Sequence, residues 1–185
     1  LAIGVQRMAA RKAIIRKLPA VETLGATSVI CTDKTGTLTR NEMTVRHVFT
    51  ATYALAVSGS GYAPEGALTA DQGDDAAAIS DAADILRCGM LCNDARLDHK
   101  DGKWSVAGDP MEGALIALGR KAGLDPDHLA REWKRLDEIP FDADYRYMAT
   151  LHRAPSGEHV VFIKGAPEAV LALAEPKADP SRWEQ

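Results

Sequence analysis

The stretch that most restricts how this chain can fold runs from Ser28 to Thr39. A short apolar run, Ser28-Val29-Ile30-Cys31-Thr32, leads directly into Asp33-Lys34-Thr35-Gly36-Thr37-Leu38-Thr39. The run predicts a parallel-type strand over residues 27–33, buried on both faces. The heptapeptide predicts a polar turn just past the strand's C-terminal end, where open α/β sheets carry their ligand chemistry. An aspartate there either caps the turn or attacks a phosphoryl group as a nucleophile. Lys34 can offset phosphate charge, Gly36 admits close backbone approach, and Thr35, Thr37 and Thr39 supply hydroxyls and backbone groups.

The pattern changes after residue 40. Ahead of the apolar run, residues 2–17 predict a helix ending before Leu18-Pro19. Asn41 to Thr50 alternates apolar and polar residues and predicts a strand, with a weaker strand over 53–58. Residues 59–73, rich in Gly, Pro and Ala, predict a loop. Helical spacing of Ile79, Ala82, Ala83, Leu86 and Met90 predicts one helix over 74–92. Asp101-Gly102 predicts the turn of a hairpin joining 95–99 to 103–106. Asp109-Pro110 suits N-cap and first position of a helix reaching Lys121, and Asp125-Pro126 repeats that grammar through Trp133. Strands are predicted over 134–140, 146–153 and 159–164, then a helix over 168–174 and a polar tail over 176–185. Strands clustered in hairpins with intervening helices predict an α+β body.

Asp33-Lys34-Thr35-Gly36-Thr37-Leu38-Thr39 resembles the phosphorylation motif of P-type (E1–E2) cation-transporting ATPases. Ile14-Ile15-Arg16-Lys17-Leu18-Pro19-Ala20-Val21-Glu22-Thr23-Leu24-Gly25 is similar to the calcium-pump-like branch of that family. Three further segments agree in order: Gly108-Asp109-Pro110-Met111-Glu112, Ile139-Pro140-Phe141-Asp142 and Lys164-Gly165-Ala166-Pro167-Glu168. The resemblance implies three regions. Residues 1–40 would be a stalk helix with the first strand of a haloacid-dehalogenase-like phosphorylation domain. Residues 41–175 would be a nucleotide-binding domain, an antiparallel sheet with flanking helices, and 176–185 a tail. It implies that Asp33 accepts the γ-phosphoryl of ATP, with Lys34 steadying the phosphoryl oxygens and with Asp33 and the Thr35 carbonyl on Mg²⁺. Phe141 would stack on adenine, Glu112 would orient it, and Lys164 beside Gly165 would enter the nucleotide pocket. Met111 stands where many relatives carry Thr or Ser, and Ala143 where they often carry a basic residue; Arg146 is the candidate substitute.

Each of these residues also has a plainer reading. Phe141 fits a core aromatic, Lys164 a solvated side chain, and Glu112 a first-turn glutamate favoured by the helix dipole. Many haloacid-dehalogenase-type phosphatases carry a second aspartate two residues after the nucleophile. Thr35 occupies that position here and cannot act as a carboxylate base, which favours a persistent aspartyl-phosphate over a simple phosphatase. A nucleotide-binding module without chemistry of its own is the other alternative.

Charge and composition narrow the partners. The chain of 185 residues carries a net charge of −4, yet Arg7, Arg11, Lys12, Arg16 and Lys17 crowd its first 21 residues with no acid among them. With the pump resemblance this suits a segment at the cytoplasmic face of a membrane. Aromatic residues are few and not interleaved with the basic start, so nucleic acid is not an expected partner. No apolar run is long enough to span a bilayer, no signal-peptide pattern is present, and the start at Leu1 suggests a piece of a longer chain. Cys31, Cys88 and Cys92 form no disulfide framework or metal-ligand pattern. No Walker A loop is present; Gly113 and Gly119 have the wrong spacing. Expected partners are ATP, the other domains and membrane helices of a pump, and a transported cation bound elsewhere. An unpaired strand at 27–33 would favour self-association.

Overall fold

The computed structural model describes residues 2–14, 16–17 and 19–174. The predicted tail over 176–185 lies outside the described residues, as do Ile15 and Leu18. The chain divides into two compact units, residues 1–41 and 42–185.

The first unit contains helices α1 (Ala2–Ala10) and α2 (Pro19–Gly25). The predicted helix over 2–17 is cut short: Lys12 adopts a positive φ of 61°, and no residue of α1 is buried. A short helix that buries no residue fully gains little from packing. α2 was not expected, although Pro19 at its first position and Gly25 at its end are ordinary start and stop signals. The predicted strand over 27–33 is irregular chain here, with Val29 and Ile30 exposed by 75% and 81%. A strand needs a hydrogen-bonded neighbour, and among the described residues none pairs with it. Lys34–Leu38 forms a loose turn closed by Thr39 N–H donating to the Lys34 carbonyl at 3.1 Å, with Gly36 at φ 73°.

The second unit is α+β, as expected, with three antiparallel sheets among the described residues. The first joins β1 (His47–Phe49), β2 (Ala54–Val57) and β3 (Leu68–Ala70). β1 is shorter than the predicted strand over 41–50. Ahead of it, bonds that involve side chains take over from the ladder: Met43 N–H donates to Tyr62 Oη, and Thr44 Oγ1 accepts from Gly61 N–H. β3 falls inside the expected loop; three residues are too few for a period to register. The predicted helix over 74–92 is two, α3 (Asp75–Asp81) and α4 (Ala83–Leu91), parted at the buried Ala82.

The β4 (Arg96–Lys100) and β5 (Lys103–Ala107) hairpin turns at Asp101-Gly102, both at positive φ, as that dipeptide favours. α5 (Pro110–Lys121) begins where predicted, with Asp109 accepting from Met111 N–H at 2.8 Å and Glu112 N–H at 3.3 Å. α6 (Pro126–Glu132) starts the same way on Asp125. The last sheet runs β6 (Lys134–Asp142), β7 (Tyr147–Arg153), β8 (His159–Gly165), followed by α7 (Pro167–Leu173).

Two apolar clusters fill this unit. One gathers Met90, Leu91, Ile116, Ala117, Leu129, Met148 and Phe162; the other gathers Val48, Leu55, Leu68, Ala82, Leu86 and Leu118. α4 and α5 contribute to both. Their close approach depends on Gly119, where a Cβ would lie 2.2 Å from Met90 Sδ and 2.6 Å from its Cγ.

His152 on β7 is 1% exposed, its Nδ1 3.2 Å from the Trp133 carbonyl. Burial holds its pKa below the ordinary histidine value, against a smaller opposing pull from that carbonyl. The unfolded chain therefore binds this proton more readily than the native state, so stability falls as pH drops below about 6.5. Urea midpoints should decrease from pH 7.5 to 5.5, and His152→Gln should flatten that decrease.

Candidate functional site

The sequence expectations placed Glu112, Phe141, Arg146, Lys164 and Gly165 around one ligand. The β6–β7–β8 sheet brings four of them to one end through its register. Tyr147 on β7 lies between Asp142 on β6 and Gly165 on β8. One step along, Met148 pairs with Lys164, while on its other side the β6 register slips between Ile139 and Asp142. That bulge contains Pro140 and Phe141. Pro140 has no N–H to give the ladder, and an edge strand is where a proline is tolerated. The bulge leaves Phe141 65% exposed, so it is not a core aromatic. Two strand spacings, roughly 10 Å, separate the backbones carrying Phe141 and Lys164.

Gly165 is required by contact as well as by the ligand expectation. A Cβ there would sit 2.4 Å from the Arg146 carbonyl oxygen and 2.5 Å from Tyr147 Cβ. Arg146 closes the β6–β7 turn at φ 59°, its carbonyl accepting from Ala166 N–H at 2.9 Å. Its guanidinium forms an ion pair with Glu168 on α7, so the side chain expected at a phosphate is engaged with a carboxylate.

Glu112 arrives from α5. The Asp109 cap and Pro110 set the helix start, which places Glu112 in the first turn. Its Oε1 accepts from Lys164 Nζ, and the two side chains are 12% and 14% exposed. Two residues expected to face one ligand thus touch each other. Glu112 Oε2 accepts from Asp94 N–H at 3.2 Å. Asn93, nearly buried, donates to the Glu112 and Gly89 carbonyls at 3.0 and 2.8 Å and accepts from Ala95 N–H at 2.9 Å. It ties the end of α4, the start of α5 and the approach to β4 into one corner. Asn93 and Asp94 were not singled out in the sequence; an Asn-Asp turn closing an amphipathic helix was the available signal. Met111 is exposed and offers no hydroxyl.

Lys164 also lines an open groove of about 710 Å³ with Ile85, Cys88, Leu115, Gly165 and Leu171. Neither Glu112 nor Phe141 lines it. Burial, with Cys92 adding to it, pushes the Cys88 thiol up to about 11 against a smaller opposing pull from Lys164. Cys88 therefore stays a protonated thiol at neutral pH and is no nucleophile.

Asp33, Lys34 and Thr35 lie in the first unit, all exposed. Asp33 precedes the turn in extended backbone (φ −67°, ψ 147°) and its side chain caps nothing. Mg²⁺ takes oxygen donors in a near-octahedral set. Asp33 and Thr35 carry donors of that kind, but among the described residues no three His, Cys, Asp or Glu side chains gather into a metal site. The residues present do not complete one.

The family model described as "P-type ATPase, cytoplasmic domain N" matches residues 81–176, more than half of the chain. The chain belongs to the P-type ATPases. It is 48% identical over 181 residues to the cation-transporting ATPase pma1 of Synechocystis sp., covering 95% of this chain and 20% of that protein. It is 48% identical over 177 residues to the probable cation-transporting ATPase F of Mycobacterium tuberculosis, covering 94% of this chain and 19% of that one. It is 44% identical over 177 residues to the human calcium-transporting ATPase type 2C member 1, covering 92% and 18%. The chain thus spans about a fifth of the length of these relatives. Among the described residues no helix is long and apolar enough to cross a membrane.

Removing one member of the Lys164–Glu112 pair leaves a desolvated charge, whereas replacing both with apolar residues removes the problem. Lys164→Met alone should cost about 3 kcal/mol in urea unfolding, and Lys164→Met with Glu112→Leu should recover most of it.

Proposed function

We propose that this chain is the ATP-handling part of a cation-transporting P-type pump, acting at the cytoplasmic face of a membrane. Residues 42–174 hold the nucleotide, and Asp33 takes its γ-phosphoryl. The observation that carries this reading is the half-buried corner where Lys164 and Glu112, 52 positions apart in sequence, meet at the sheet end that also bears exposed Phe141. Desolvating a lysine and a carboxylate together is costly, and such pairs in a site suit ligand recognition better than stability. Phe141 offers an open ring face to adenine. Glu112 supplies acceptor oxygens for the base, and Lys164 supplies a cation. For Arg146 to meet a phosphate it would exchange Glu168 for it.

Asp33 attacks the γ-phosphorus through a carboxylate oxygen while the bond to the β–γ bridging oxygen breaks. The products are an aspartyl-phosphate and ADP. Lys34 neutralises charge on the transferred group. In phosphoryl transfer the protein's main contributions are such positioning and charge stabilisation. Thr35 provides no carboxylate to activate water, so the acyl phosphate lasts long enough to be coupled to transport. Residues 27–33 become a central strand of a haloacid-dehalogenase-like sheet once neighbouring strands are supplied. The remaining Mg²⁺ donors and the transported cation's ligands belong to other parts of the pump.

ATP binding by this chain should be weak, on the order of 0.1–1 mM, and Phe141→Ala should weaken it about tenfold, as loss of roughly 1.4 kcal/mol of stacking requires. A folded Phe141→Ala protein with unchanged ATP affinity, measured by NMR titration, would remove the stacking role. In the full-length pump, Asp33→Asn should abolish acid-stable labelling from γ-labelled ATP while sparing ATP binding.

A further inference from the structure

A run of polar links connects β6 to Lys164. Arg135 on β6 reaches the turn between α4 and β4, with Nη1 2.8 Å from Asp94 Oδ1 and 3.4 Å from the Asn93 carbonyl oxygen. Its Nη2 lies 2.6 Å from Glu138 Oε2. The same turn presents Asp94 N–H to Glu112 Oε2 at 3.2 Å, and Glu112 Oε1 accepts from Lys164 Nζ. Arg135 bonds to the Asn93-Asp94 turn and to Glu138, and so grips the segment that holds one of the carboxylate's two oxygens.

We propose that Arg135 is a positioning residue for base selection, acting through Asp94 on the Glu112 carboxylate; this rests on the nucleotide-binding reading above. The terminal torsion of a glutamate is broad, so an untethered carboxylate points its lone pairs in many directions. Here one oxygen is tied to Lys164 and the other to Asp94 N–H, which fixes the carboxylate plane. An ionised carboxylate only accepts hydrogen bonds. Adenine carries an amino donor where guanine carries a carbonyl acceptor. A fixed acceptor therefore favours the first and repels the second, and a wandering one discriminates less. Arg135 supplies two things to this arrangement. Its planar fork spans Asp94 and Glu138 together, which a lysine cannot do. Its charge also offsets Asp94, whose carboxylate would otherwise stand near Glu112 uncompensated.

The test compares ATP and GTP affinities of the whole chain by NMR titration, for wild type, Arg135→Met, Arg135→Lys, Glu112→Gln and the Arg135→Met/Glu112→Gln pair. Arg135→Met should reduce the preference for ATP over GTP about tenfold, the scale of one weakened charge-assisted hydrogen bond. Arg135→Lys should fall between. In the Glu112→Gln background, Arg135→Met should change the ratio by less than about twofold, because coupled residues are non-additive. Equal weakening of both nucleotides, an unchanged ratio, or additive effects would overturn the positioning role, since a merely structural arginine produces those results. If Arg135→Met does not fold, Asp94→Asn makes the same test: it keeps the backbone N–H and loses the ion pair. ATP binding by wild type without a shift in the ratio sinks only this proposal. Binding of neither nucleotide overturns the nucleotide reading and this proposal together.

Discussion

The contact between α4 and α5 is the constraint on which the second unit depends. Each helix contributes to both apolar clusters: Leu86 and Leu118 face one, Met90, Ile116 and Ala117 the other. Without this shared wall the small β1–β3 sheet and the β6–β8 sheet would each have to bury a separate and insufficient core. The contact is close because Gly119 presents no side chain to Met90. Any larger residue must push the helices apart or displace Met90, and both disturb a packed interior. The same contact sets the axis of α5, and therefore where its first turn delivers Glu112.

The site is consequently assembled from rigid elements. Glu112 comes from a capped helix, Lys164 from a paired strand, and Phe141 from a bulge pinned by a proline. Asn93 locks the corner between them. Only Arg146 sits in a turn, and its exposed partner Glu168 is easily exchanged, since solvent-exposed ion pairs contribute little. The same sheet end thus carries a largely desolvated ion pair and an exposed aromatic ring.

The first unit obeys different physics. Among its residues whose burial is described none is fully buried, and the chain over 27–33 is exposed throughout. Its motif is local and needs no core to take shape: an aspartate ahead of a turn, a lysine next to it, and Gly36 in the left-handed region. An extended apolar segment such as Val29-Ile30-Cys31 becomes a strand only when another strand meets its backbone groups.

Local signals in the sequence determined much of the second unit. Asp109-Pro110 and Asp125-Pro126 set two helix starts, because an N-cap carboxylate and a proline at the first position act within a few residues. Asp101-Gly102 set a hairpin for the same reason, and the three strands from 134 to 165 followed from composition and period. The break at Ala82, the three-residue β3 and the bulge at Pro140-Phe141 were decided by tertiary packing, since each depends on a partner distant in sequence. The motif residues were legible as single side chains, but the Lys164–Glu112 contact and the Arg135–Asp94 grip behind it were not. Sequence spacing carries no information about two side chains that approach only when a helix start is laid against the end of a sheet, and the distance between them is a property of the folded core.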